Sequence, residues 1–271
     1  MDCVGRLMIT KLSHRLGTIA ELVQSGARVA DIGSDHALLP VYLVSTGKCP
    51  TAVAGELNQG PFEAARKQVR EAGLSQKVDV RKGNGLAVVT PGETDTITIA
   101  GMGGHLIASI LEEGRVAGKL EHVSELVLQP NVGEDAVRHW LTEHGWSLME
   151  ERILEEDGKI YEVLRAIRSE EAALHNNELY QPSRLPVQSN SEVSISSEEA
   201  VELLYRFGPY LLVEPTDVFY LKWDSELRKM DRICGQMEQS GAEEAITRAK
   251  QFRHEMAQIE EVLTCLRKDK P

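Results

Sequence analysis

The run Val29-Ala30-Asp31-Ile32-Gly33-Ser34-Asp35-His36-Ala37-Leu38-Leu39 reads as an apolar strand that ends in an acidic turn and enters a helix. A dinucleotide-binding fold carries three glycines at such a turn, and the second lets a pyrophosphate approach a helix N-terminus. Here Asp35 takes that glycine's place. A carboxylate competes with phosphate for the helix amides, so the turn suits a ligand with an ammonium and a sulfonium group and no phosphate. S-adenosylmethionine has that chemistry. A second acid, Glu56, closes the apolar stretch that begins at Ala52 and is followed by Leu57. In a Rossmann-like fold an acid at this place bonds the two ribose hydroxyls of an adenosine. Gly83-Asn84-Gly85-Leu86 offers a side-chain amide to the exocyclic amine of adenine. Ile99-Ala100-Gly101-Met102-Gly103-Gly104 opens a bare backbone turn beneath the same pocket. Each signal alone has a bland reading, because glycines make turns and acids cap helices. Four of them at successive strand ends mark the switch point where open α/β sheets bind ligands.

These residues need a sheet to gather them. From Arg28 to about Arg168, short β-rich runs alternate with helix-like stretches, which is the pattern of a mainly parallel sheet covered by helices. Seven strands are expected: Arg28 to Ile32, Thr51 to Glu56, Val78 to Arg81, Thr94 to Ala100, Glu125 to Leu128, Trp146 to Glu155 and Lys159 to Ile167. Asp157-Gly158 is a hairpin turn pair, which predicts an antiparallel strand at the sheet edge. Helices are expected over Lys11 to Gln24, Ala37 to Ser45, Gly60 to Ala72, Gly104 to Glu113 and Glu134 to His144. Residues 1–168 then form an α/β domain of Rossmann-like class. Residues 169–201, with Asn176-Asn177, Pro182, Pro186 and a Gln-Ser-Asn-Ser run, read as a polar linker. Residues 202–271 end in a helical pair with a turn at Ser240-Gly241. Ala249, Phe252, Met256, Ile259, Leu263 and Leu266 follow the alternating three-and-four spacing of a coiled-coil seam, so an antiparallel hairpin is expected.

Composition narrows the class further. The 271 residues carry 30 Lys and Arg against 42 Asp and Glu, a formal charge of −12. Glu150 to Glu202 holds 13 acids and 5 bases, whereas the chain up to Ala30 has a net charge of +2. An acidic total therefore leaves room for a local basic face that grips phosphates. No apolar run approaches the roughly 20 residues a membrane helix needs, and the start of the chain lacks a secretion pattern, so a cytoplasmic protein is expected. Cys3, Cys49, Cys234 and Cys265 form no C-x-x-C pair, which predicts neither a zinc nor a redox site. The oligomeric state is open: the hairpin can be satisfied within a monomer, the expected state, or between two chains.

The runs LSHRLGTIAELV, VADIGSDHALLP, AGELNQGPFEAA, GNGLAVV, IAGMGG, LVLQPN and RFGPYLL resemble the bacterial tRNA adenine-N1-methyltransferases of the TrmK family, which modify adenine 22 of tRNA. The resemblance covers Leu12 to Ile167 and resumes from Glu202. It implies an S-adenosylmethionine-dependent methyltransferase domain of class I, followed by a coiled-coil domain that holds tRNA. Mapped onto this chain, it implies that Asp31, Gly33, Asp35 and His36 surround the methionine part and Glu56 the ribose. Asn84 and Gly85 would meet the adenine, and Ala100, Gly101, Met102 and Gly103 would form the floor beside the methyl group. Asn84 departs from the family, where Asp is usual.

The implied reaction is an in-line displacement in which adenine N1 attacks the methyl carbon. N1 of the neutral base carries no proton, so positioning is the main lever. Asp35 and the Gly101 carbonyl are candidates for stabilising the cationic purine that forms. Methyltransferases that act on exocyclic amines commonly carry Asn or Asp, then Pro-Pro and an aromatic, at the fourth strand. This chain has Ala100-Gly101-Met102-Gly103 there, which favours a ring nitrogen. Gln129 and Asn131 are candidates for orienting the base, and Lys11 and Arg15 for contacting RNA phosphates. The competing readings are a methyltransferase for another RNA base, an NAD-dependent oxidoreductase, and a non-catalytic RNA-binding adaptor with a degenerate Rossmann domain.

Overall fold

The computed structural model of the chain describes residues 11–187, 193–240 and 242–268. The chain divides into two compact units, one ending at Ala173 and the other starting at Leu174.

The first unit is built on one seven-stranded sheet. Its strands are β1 (Val29–Ile32), β2 (Ala52–Glu56), β3 (Val78–Lys82), β4 (Thr96–Met102), β5 (Glu125–Pro130), β6 (Trp146–Glu156) and β7 (Lys159–Arg168), in the order β3-β2-β1-β4-β5-β7-β6. The first five are mutually parallel. Every residue of β1, β2 and β5 is buried, which explains why these strands read as near-continuous apolar runs. The chain leaves β1 toward β2 and β3 on one side and resumes at β4 and β5 on the other. The carboxyl ends of β1 and β4 thus flank a topological switch point. Asp157 and Gly158 have φ of 52° and 72°, the left-handed pair of a tight hairpin turn. The antiparallel strand is β7, yet it is not the edge. It inserts between β5 and β6, because its Leu164 to Ile167 face pairs with β5 while its whole length pairs with β6.

Five helices surround this sheet: α1 (His14–Leu22), α2 (Leu38–Ser45), α3 (Gln59–Glu71), α4 (Gly104–Val116) and α5 (Glu134–Glu143). Ser13 caps α1 by accepting the Leu16 N–H at 3.3 Å. One apolar cluster joins Ile19 and Val23 of α1 to Leu39 and Leu43 of α2, Val29 of β1, Val127 of β5 and Val163 of β7. A second joins Val41 and Val44 of α2 to Ala65 and Val69 of α3 over Ala52 and Ala54 of β2. These two clusters fasten α1, α2 and α3 to the sheet and support the loops at the carboxyl ends of β1 and β2.

The stretch expected as a linker contains order. Ala172–Leu179 is a helix (α6) and Pro182–Arg184 a single 3-10 turn, with Leu179, Tyr180 and Leu185 buried. These apolar residues are few but well spaced, and Tyr180 stacks on Tyr205 with ring centroids 4.0 Å apart. The Gln-Ser-Asn-Ser run lies outside the described residues, as do Cys3 and Gly241 of the expected turn. The second unit continues with α7 (Ser197–Phe207), α8 (Pro209–Val213), α9 (Asp217–Ser240) and α10 (Glu243–Lys268). A capping box between Ser196 and Glu199 starts α7. Ion pairs Arg253–Glu238 and Arg267–Asp224 show that α9 and α10 run antiparallel. The expected seam is buried at Ala249, Met256, Ile259, Leu263 and Leu266, while Phe252 is half-buried. Phe207 of α7 meets Phe219 and Trp223 of α9 in an aromatic cluster.

Candidate functional site

The turn after β1 is shaped by backbone conformations that few sequences adopt. Gly33 has φ +70°, and a Cβ there would lie 2.3 Å from the Met102 Cε. The N–H groups of Gly33 and Ser34 donate to the Gly55 carbonyl at 2.9 and 3.2 Å, which ties the turn to β2. Asp35, His36 and Ala37 then have φ of 40°, 69° and 56° in succession. The left-handed region costs a non-glycine residue roughly 1–2 kcal/mol, so the surroundings must hold this run. Ala37 is fully buried, and the Asp35 N–H donates to the Glu56 carboxylate. The helix expected from Ala37 accordingly begins at Leu38. The Asp35 side chain is 85% exposed, with its carboxylate 3.6 Å from His36 Nε2.

Asp31, one strand residue earlier, is buried. Its two carboxylate oxygens accept from Ser34 Oγ and Thr98 Oγ1, both at 2.6 Å. Burial pushes its carboxyl above the usual range, and the two hydroxyl donors and the charge of Arg15 pull it partly back. Asp31 therefore braces the turn from below, whereas Asp35 and His36 present their side chains outward.

Glu56 ends β2 and is 6% exposed. Its Oε1 is buried and has no hydrogen-bond partner among the described residues. Burial raises its carboxyl above the ordinary value of 4.5, against the pull of the Asp35 N–H. A buried acceptor left unmade costs about 1–3 kcal/mol, more when charged, so this oxygen is a place for an incoming donor. A pair of ribose hydroxyls supplies such donors. Next to it in the chain, Leu57 is 56% exposed and leaves an apolar surface open. Asn84 is exposed at the head of the 3-10 turn Gly85–Val88, and its side-chain amide makes no cap bond. Arg81 secures that turn by donating to the Val88 carbonyl at 2.8 Å while pairing with Glu93.

At the end of β4 the register against β5 shifts between Ala100 and Met102, and Gly101 bulges out with φ +76°. A bulge unpairs its peptide groups. Here the side chains of Gln129 in β5 and of Asn131 just after it re-pair both sides. The Gly101 N–H donates to Gln129 Oε1 at 3.1 Å, and Asn131 Nδ2 donates to the Gly101 carbonyl at 2.8 Å. Gln129 Nε2 donates to the Pro130 carbonyl and to Asn131 Oδ1 at 2.8 and 3.1 Å. Arg15 Nη1 adds a second donor to Gln129 Oε1 at 2.6 Å, and its guanidinium lies 5.3 Å from the centre of the Tyr161 ring.

The structure thus brings Asp31, Gly33, Asp35, His36 and Glu56 together at one turn, with Ala100 to Gly103 beside them through the Gly33–Met102 packing. Two expectations change. Gln129 is completely buried with its amide committed to protein groups, so it does not reach a base edge. Arg15 is half-buried against Gln129 and Tyr161 rather than displayed on a solvated helix face; Lys11, ahead of α1, is exposed. Sequence reasoning missed Ser34, Thr98, Tyr161 and Glu156, whose carboxylate accepts the His14 and Arg15 N–H groups at the start of α1. No local signal marks them, because each acts through a partner more than 60 residues away, save Ser34, whose offset of three from Asp31 fits a turn bond.

Comparison with known proteins places this geometry. A family model described as "Methyltransferase domain" matches residues 12–164. The tRNA (adenine(22)-N(1))-methyltransferase of Bacillus subtilis is 41% identical over 254 residues, covering 93% of this chain and 97% of that protein. The crystal structure of the B. subtilis M1A22 tRNA methyltransferase TrmK superposes with a TM-score of 0.78 at 40% identity, over 94% of this chain and 99% of that one. A Streptococcus pneumoniae protein described as a putative tRNA (m1A22) methyltransferase, solved in complex with S-adenosyl-L-methionine, gives 0.73 at 38% identity, over 93% and 100%. The acidic, glycine-poor turn, the orphaned Glu56 oxygen and a likeness that spans both units lead to one assignment: this chain belongs to the tRNA (adenine(22)-N(1))-methyltransferase family.

Proposed function

We propose that this protein transfers a methyl group from S-adenosylmethionine to N1 of adenine 22 in tRNA. The observation that carries the reading is the likeness to the B. subtilis enzyme over nearly the full length of both chains, helical unit included. The residues present fit the cofactor. Glu56 offers a buried acceptor to the ribose hydroxyls, and the left-handed Asp35–Ala37 turn leaves no amide cradle free of carboxylate for a diphosphate.

S-adenosylmethionine, when bound, supplies an electrophilic methyl group. The chain's own groups place it. Asp35 and His36 line the methionine end, Leu57, Asn84 and Gly85 the adenine end, and Ala100, Gly101, Met102 and Gly103 the floor. Asp31 acts through Ser34 and Thr98 as a brace. The acceptor nitrogen of neutral adenine has a free lone pair, so no side chain has to remove a proton. Holding the reacting atoms in line can then supply about 7–11 kcal/mol. The Gly101 carbonyl and the Asp35 carboxylate are dipole and charge that favour a purine becoming cationic. Reaching a base inside folded tRNA requires its extrusion, and Lys11 is positioned to meet phosphate beside the pocket. A tRNA substrate supports a cytoplasmic location, and the burial of the α10 seam within the chain supports a monomer.

Incubation with labelled S-adenosylmethionine and tRNA, followed by mass spectrometry of the digest, should yield 1-methyladenosine at position 22 only. A transcript with guanine at that position should stay unmodified. Methylation elsewhere would overturn the substrate assignment.

A further inference from the structure

We infer that Arg15 is a positioning residue for methyl transfer, acting through a Gln129–Asn131 clamp on the Gly101 peptide rather than by touching RNA; this rests on the methyltransferase reading above. Gly101 occupies the bulge of β4, and its N–H and C=O take the side chains of Gln129 in β5 and of Asn131 just after it as partners. The clamp has a fixed direction. Gln129 Nε2 faces two acceptors, the Pro130 carbonyl and Asn131 Oδ1, so its Oε1 must face Gly101. The same link turns the Asn131 amide so that Nδ2 meets the Gly101 carbonyl.

Arg15 locks this arrangement from the other side. Its Nη1 donates to the Gln129 oxygen already used by Gly101, and it lies 3.7 Å from where a Gly101 Cβ would sit. Tyr161 supports the guanidinium plane, and Tyr161, Leu12, Leu16 and Ala100 pack onto one apolar cluster. The α1 helix that carries Arg15 is pinned to the β6–β7 hairpin by Glu156. Three elements distant in sequence thus converge on one peptide at the floor of the site. A flat, delocalised cation can stack and donate at once, which an ammonium cannot. A phosphate contact would need only exposed charge.

The test uses the full chain with a tRNA transcript, measuring kcat, KM for tRNA, the salt dependence of tRNA binding, and the backbone amide resonance of Gly101. A misplacement of about 1 Å can cost about 100-fold in rate. Arg15→Ala should lower kcat about 10- to 100-fold, leave KM and the salt slope within twofold, and move the Gly101 resonance. Arg15→Lys, which keeps one donor for Gln129, should recover part of the loss. Gln129→Glu keeps the Arg15 partner but cannot donate to Pro130 or Asn131, and should lose kcat to a similar extent. If Arg15→Ala does not fold, the other two variants decide the matter. A tenfold rise in KM with a flattened salt slope and unchanged kcat would make Arg15 a phosphate contact and overturn the clamp. So would an unmoved Gly101 resonance. Should the wild type make no methyladenosine while the resonance moves as stated, the functional reading fails and the clamp stands.

Discussion

Glu56 concentrates two properties in one carboxylate: it is buried, and one of its oxygens has no donor among the described residues. Hydrogen bonds to a charged group contribute about 1.5–3 kcal/mol, so Glu56→Ala should weaken S-adenosylmethionine binding roughly 10- to 100-fold by titration calorimetry. The pH dependence has a definite sign. Burial, reinforced by Asp31 and Asp35 and opposed by the Asp35 N–H and by His36, raises this carboxyl above 4.5. A raised folded-state value means the folded chain takes up the proton more readily than the unfolded chain. The burial penalty is therefore absent at low pH and grows as pH rises through the raised value. Cofactor affinity follows the opposite course, falling as pH drops through that value, and Glu56→Gln should flatten this acid limb. Gly33→Ala strains a side chain at φ +70° and displaces the Met102 Cε end beside the turn, and should weaken cofactor binding at least ~10-fold by the same measurement while thermal unfolding remains cooperative. Glu56 and Gly33 were legible in the sequence because strand ends and turns are local patterns. Arg15 was read as a surface cation because its partners lie on β5 and β7, and nothing near it in the chain announces them.

Among the elements, the β6–β7 hairpin and α5 are joined by an ion triad that the sequence conceals. Arg138 of α5 is fully buried, donating to Glu151 at 2.6 Å and to Glu162 at 2.5 Å. An arginine on an amphipathic helix reads as a surface residue, and only strand pairing brings the two acids beneath it. Removing one partner of a buried ion group leaves uncompensated charge, so Arg138→Met should lower the unfolding free energy by about 3–5 kcal/mol in urea. Replacing the acids as well, with Glu151→Leu and Glu162→Leu, should recover most of that loss. If the single and triple variants melt alike, the triad is not the cause. Element types were readable throughout the α/β unit, since each strand or helix carries its own period. Order within 169–201 was not, because α6 and the 3-10 turn are stabilised by a few buried residues, Leu179, Tyr180 and Leu185, in a polar background. The place of β7 inside the sheet was missed for a related reason: a hairpin turn fixes pairing with its neighbour and says nothing of the strand on the far side.

For the whole molecule, charge directs where an anionic substrate can be held. An acidic chain must grip an anionic substrate through local surfaces, and the helical pair α9–α10 uses several of its cations in ion pairs with its own acids. Arg253 pairs with Asp231 and Glu238, Arg267 with Asp224, and Lys229 with Glu226. Arg228 and Arg232 are exposed and have no acidic partner among the described residues. Four residues apart, they share one face of α9. Each neutralised phosphate contributes roughly 0.7–0.9 to the slope of log affinity against log salt. Arg228→Ala with Arg232→Ala should therefore weaken tRNA binding and lower that slope by about 1.5. The affinity for S-adenosylmethionine should not change, because the cofactor residues all belong to the first unit. At saturating tRNA kcat should also persist, since the lost contacts anchor the RNA and do not align the reacting atoms. A double variant with an unaltered salt slope would show that this face of α9 carries no phosphate, and would turn attention to the exposed Arg248 and Lys250 of α10 and to Lys11.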